Sequence, residues 1–146
     1  MWNLKRVRIV GIAATIGLAA CGSSSTGPSP ESLVGTWNAT QAQLVSQVNQ
    51  QHKVDLVAMG TVVLVLNSDG TFTLTITMQG QPPDQRGGRW TSSDILTLTF
   101  TSGWSGDWQF DMNLNGDTLT LTGAHTDYDY GNGPEDSRVN LVMARQ

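Results

Sequence analysis

The chain has 146 residues, twelve acidic against eight basic side chains, two histidines and one cysteine. A net charge of −4 with the basic residues scattered beyond the first ten positions excludes charge-driven binding to nucleic acid or anionic lipid, which needs a basic patch. A single cysteine excludes an internal disulfide framework, so stability has to come from burial.

Lys5, Arg6 and Arg8 precede an apolar run over residues 9–18, which ends in Leu18-Ala19-Ala20-Cys21. A basic start, a short apolar run and small residues before a cut are the layout of a secretory signal. The run is shorter than the roughly 20 apolar residues a spanning helix requires. Its four-residue ending resembles the lipobox of bacterial lipoproteins. That resemblance implies cleavage before Cys21, diacylglycerol on its thiol and a third acyl chain on the new amine. Two or more chains anchor a protein stably, so the expectation is a bacterial envelope protein held in the membrane through acylated Cys21. Gly22 rather than Asp follows the cysteine, which by the same resemblance implies the outer membrane, facing the periplasm. Loss of residues 1–20 leaves five basic against twelve acidic side chains, a net charge of −7. The expected organisation is a signal peptide over 1–20, a lipidated cysteine and tether over 21–32, and one domain over 33–146. Residues 22–32, GSSSTGPSPES, cannot bury apolar area and read as a flexible spacer.

The domain opens with a strand headed by Gly35-Thr36-Trp37. From 41 to 59 the pattern is mixed. Leu44, Val45 and Val48 have helical spacing while Val54, Leu56 and Ala58 alternate, which predicts a short helix or lid followed by an extended approach to the next strand. Residues 61–66 are apolar on both faces, so that strand is covered on each side or lies where the chain closes on itself. Strict alternation follows in 71–78, where Phe72, Leu74, Ile76 and Met78 interleave with threonines. It recurs in Leu96, Leu98 and Phe100, in Trp108, Phe110, Met112 and Leu114, in Leu119 and Leu121, and in Val139, Leu141 and Met143. Asn67-Ser68-Asp69-Gly70 and Asn115-Gly116-Asp117 are hairpin signals between these runs. Sequential antiparallel hairpins with one apolar face predict an all-β, antiparallel up-and-down β-barrel of about eight strands, with a bent β-sandwich as the alternative.

Gly35-Thr36-Trp37, the hairpin Asn67 to Phe72, a second Gly-x-Trp at Gly88-Arg89-Trp90 and the run Asn115 to Leu121 together resemble lipocalin-like, calycin-type bacterial lipoproteins. The resemblance covers residues 33–146. It implies that Trp37 lies across the barrel floor beneath a basic residue of the last strand, for which Arg145 is the match, and that both are structural. The chain is shorter than full lipocalins and lacks their later motifs.

The expected interior, Phe72, Leu74, Ile76, Met78, Leu96, Leu98, Phe100, Trp108, Phe110, Met112, Leu119 and Leu121, holds no carboxylate, histidine or arginine. It suits either a small apolar guest or a packed core, since eight strands enclose just enough space for one or the other. Arg86, Arg89 and His125 are expected in loops or strand ends, rimming a mouth. His52 and His125 lack a helical partner or cysteine cluster, and no Gly-x-Ser-x-Gly elbow is present, so neither enzyme chemistry, a metal nor a cofactor is expected. The acidic stretch Asp127 to Asp136 has Gly131 and Arg138 where an EF-hand needs ligands, and reads as a solvated turn before a calcium loop. Trp104, in a Gly/Ser loop, either folds over the barrel end or is an exposed contact. The functional expectation is a lipid-anchored, non-enzymatic barrel that binds or carries a small apolar molecule. The alternative is a filled-barrel structural or protein-interaction module, whose protein partners the sequence does not name.

Overall fold

Threonine between apolar residues favours extended backbone with one buried face. In the computed structural model, which describes residues 26–146, this alternation forms one antiparallel sheet closed on itself. A short helix α1 (Pro30–Leu33) precedes β1 (Gly35–Ser46), β2 (Lys53–Asp55), β3 (Gly60–Leu66), β4 (Thr71–Met78) and β5 (Asp84–Ser92). β6 (Ile95–Ser102), β7 (Gly106–Asn115), β8 (Thr118–Asp129) and β9 (Pro134–Arg145) complete it. From β3 to β9 each strand pairs with the next, and β1 pairs with β9 from Trp37↔Arg145 to Ser46↔Ser137. That last ladder closes the sheet, so the fold is an all-β, up-and-down barrel and not an open sandwich.

A strand has two edges. With one edge of β1 on β9, the other meets β3 at residues 35–38 and β2 at residues 43–45. β2 and β3 therefore share a single edge, interrupted by a 3-10 turn at Leu56–Ala58 that the Asp55 carboxylate caps through the Val57 amide. The barrel is eight strand positions round, one of them filled by a broken strand.

Inward residues are mostly apolar and outward ones mostly threonine and other polar groups, the reverse of the apolar-out pattern of a bilayer-spanning barrel. Among the described residues no helix is long and apolar enough to cross a membrane. Val63 and Val65, on the outer wall of β3, are half-buried between β1 and β4. At one end the interior is closely filled. Trp37, Leu64, Leu66, Phe110, Leu119 and Met143 are all essentially inaccessible, and each such side chain stabilises the fold by about 1.5–3 kcal/mol relative to exposure. Helix α1 caps this end. Leu33 is buried, its carbonyl accepts from Trp37 Nε1 at 2.8 Å, and Arg145 donates to the carbonyls of Val34 at 2.8 Å and Ser32 at 2.5 Å. The span read as a spacer is thus ordered at its C-terminal end.

Gly88 shows how the register shapes the interior. It stands between Phe72 and Phe100 on the neighbouring strands, and the two rings meet edge to face across it at 5.1 Å. A Cβ at this position would lie 1.9 Å from the Thr99 carbonyl oxygen. Absence of a side chain here brings the β5 and β6 backbones together and gives the aromatic pair its space.

Three segments differ from the sequence reading. Residues 41–46 continue β1 and do not form a helix or lid; Val48 lies beyond its end and is exposed, because the inward positions are Ala42, Leu44 and Ser46 at period two. Residues 84–92 form a full strand that carries little apolar alternation. The acidic stretch 127–136 is mostly the end of β8 and the start of β9, with Asp127 directly opposite Asp136.

Candidate functional site

Opposite α1, where β1, β3, β4 and β9 leave small or aliphatic side chains facing inward, the barrel is not filled. A cavity of about 370 Å³ opens there, walled by Ala42, Leu44, Val62, Leu74, Ile76, Val139 and Leu141. That volume falls at the small end of the roughly 300–1,000 Å³ of ligand sites.

Its polar elements come from β5 and β8. Leu74 pairs with Arg86 and Ile76 with Asp84, so these two polar residues share the inward face of the apolar column beside them. Arg86 donates to the Asp84 carboxylate from Nη2 at 2.5 Å and Nε at 3.1 Å, and its guanidinium lies 4.4 Å from the centre of the Trp104 ring. Trp104 in turn packs on Phe100 at 5.5 Å and edge to face on Trp108 at 5.2 Å. The loop tryptophan therefore folds over the barrel end as part of an aromatic chain that reaches Phe110. Thr126, Asp127 and Tyr128 from β8 also line it.

Of the residues expected to line a guest site, Leu74, Ile76, Met78 and Trp108 do so, and Phe100 lies beside an adjoining cleft. Phe72, Leu96, Leu98 and Phe110 belong to the packed interior. Met112 sits half-buried near the capped end, close to Gly27. The inward face expected to be free of charge carries Arg86, half-buried, and Asp84, exposed at the mouth. Arg89 and His125 are exposed and lie within β5 and β8; Arg89 does not rim the mouth as expected, whereas His125 borders the adjoining cleft, its Nδ1 facing Asp136 at 3.1 Å. The signal that could have found Arg86 is the Gly88-Arg89-Trp90 triplet, since placing Trp90 inward forces Gly88, Arg86 and Asp84 inward at period two. Arg145 is centred 4.2 Å from the Trp37 ring at the capped end, and neither residue belongs to the cavity lining. Cys21 and the expected signal segment lie outside the described residues.

A second polar cluster ties the loop after β1. Buried Ser46 donates to the Glu135 carboxylate and accepts from the amides of Val48 at 3.1 Å and Asn49 at 3.0 Å. His52 Nδ1 stands 2.8 Å from Glu135 Oε1. The Ser46 bond, reinforced by His52, holds the Glu135 carboxyl below its ordinary value of 4.5 against the opposing effect of burial. The carboxylate lies between serine and histidine, whereas a nucleophile relay needs the histidine between the other two. This cluster is a loop latch. Asp129, the centre of the expected acidic turn, accepts from the amides of Gly131 at 2.7 Å and Gly133 at 3.0 Å. Among the described residues no three histidine, cysteine or carboxylate side chains converge as a metal site.

The fold and site define a half-filled antiparallel barrel with one apolar cavity at its open end. A scan against models of protein families finds no match to this chain, and a search of curated proteins finds none.

Proposed function

We propose that this protein is a lipid-anchored lipoprotein of the bacterial envelope, lipocalin-like in type, whose barrel binds a small, largely apolar molecule. The observation that carries the binding reading is the division of the interior. One end is packed around Trp37 and Phe110, while the other keeps a cavity of about 370 Å³ under an aromatic and Arg86 rim. Filling the open end with larger side chains would have been favourable by burial alone, so the space supports a guest. The anchoring half of the proposal rests on the lipobox at Leu18 to Cys21 and on the polar outer wall of the barrel, which leaves membrane attachment to the N-terminus.

The neutral apolar dye N-phenyl-1-naphthylamine tests it. The protein is expected to bind one dye per chain with a blue-shifted emission, and Leu74→Trp, which places an indole in the cavity, is expected to abolish that binding while the barrel stays folded. Absence of saturable dye binding by the unsubstituted protein would favour the filled-barrel interaction module.

A further inference from the structure

The pairing of β7 with β8 leaves an opening in the barrel wall. Their ladder runs from Asn115↔Thr118 to Asp111↔Thr122 and stops. Beyond it, residues 106–110 pair only with β6 and residues 124–129 only with β9. The ladder ends where β8 carries a bulge, with Gly123 at φ 103° and a register shift between Thr122 and Ala124, and a bulge bends its strand. A cleft of about 300 Å³ lies at this gap, bounded by Asp107, Trp108, His125, Thr126 and Asp127 with Trp104 behind. Trp104, Trp108, Thr126 and Asp127 also line the main cavity, so the two spaces share walls. Thr126 Oγ1 is buried here and, among the described residues, has no hydrogen-bond partner. Such a group is costly until something satisfies it.

We propose that this gap is the head-group subsite of the cavity, and that the head it takes is a protonated amine rather than a carboxylate. The inference rests on the ligand-binding reading above and names the ligand class: a short apolar tail in the cavity with an amine at the slit. Charge sets the preference. Asp107 and Asp127 flank the gap, and among the described residues neither is in an ion pair. Arg86, the cation of the cavity lining, is already engaged by Asp84 and by the Trp104 face. His125 is turned to Asp136. An ammonium there meets two carboxylates, two indole rings and an acceptor oxygen on Thr126; a carboxylate meets like charge.

Full-length protein in lipid nanodiscs, titrated calorimetrically at neutral pH with hexylamine, hexanol and hexanoate against empty nanodiscs, tests the assignment. Hexylamine is expected to bind about tenfold or more tighter than hexanoate, with hexanol between. The double variant Asp107→Asn with Asp127→Asn, both at exposed positions, is expected to remove most of that ratio and to leave hexanol within about twofold. Thr126→Val is expected to weaken hexylamine and hexanol several-fold without lowering Tm. Hexanoate binding as tightly as hexylamine, or a ratio that survives the double variant, overturns the head-group assignment while leaving the cavity reading intact. Failure of all three probes and of the naphthylamine dye overturns both.

Discussion

Trp37 and Arg145 show what single residues contribute here. The indole is inaccessible, donates to the Leu33 carbonyl and lies beneath a guanidinium that ties down two further carbonyls of the capping segment. Trp37→Ala is expected to cost about 3–5 kcal/mol in urea unfolding, as for other large-to-small core changes; a loss below about 1 kcal/mol would show that the floor repacks. Gly88→Ala is expected to destabilise more than its single methyl suggests, because the new Cβ would collide with backbone and not with a flexible side chain. Thermal unfolding with near-ultraviolet dichroism checks both the loss and the expected disturbance of the Phe72–Phe100 pair. The Trp37–Arg145 contact was anticipated through the resemblance carried by Gly35-Thr36-Trp37, which implies a basic residue of the last strand over the indole, and not through any period in the sequence. Arg86 was not read as inward, because Asp84-Gln85-Arg86-Gly87-Gly88 offers no apolar period of its own; its face follows from Trp90 two turns of the pleat away and from pairing with Phe72, Leu74 and Ile76.

Among the elements, β4 was readable to the residue, because four threonines alternate with four apolar side chains. The upper half of β1 was not. Gln41 to Ser46 has inward residues as small as Ala42 and as polar as Ser46, and Ser46 is explained only by Glu135, eighty-nine positions away in sequence. The latch it forms gives a pH dependence. Because the folded-state pKa of Glu135 is depressed, its contribution is fully present above its ordinary value of 4.5 and is lost as pH falls through the lower folded value. Protection of the Val48 and Asn49 amides against hydrogen exchange, corrected for intrinsic rates, is therefore expected to fall in that acid range. Glu135→Gln is expected to show reduced protection already at neutral pH and to flatten the dependence; an unchanged profile in that variant would remove Glu135 from the latch.

For the whole molecule, the closed barrel followed from sequence because every hairpin between β3 and β9 is local and each turn carries Asn, Asp or Gly. Whether the barrel was filled or hollow was not legible, since that depends on how inward volumes sum around eight strand positions. The structure divides the two outcomes, with aromatic and leucine side chains filling one end and the cavity at the other. Cys21→Ser is expected to shift the protein from the membrane fraction to the soluble periplasmic fraction with its Tm unchanged, read by fractionation of cells; retention in the membrane would contradict an acyl anchor.

Binding of a guest at the open end is the central claim, and native mass spectrometry of the protein isolated gently from its own envelope tests it most directly. The account predicts a stoichiometric small-molecule adduct that Leu74→Trp eliminates. A bare protein mass for the unsubstituted chain, together with no Tm shift on adding apolar compounds, would contradict it.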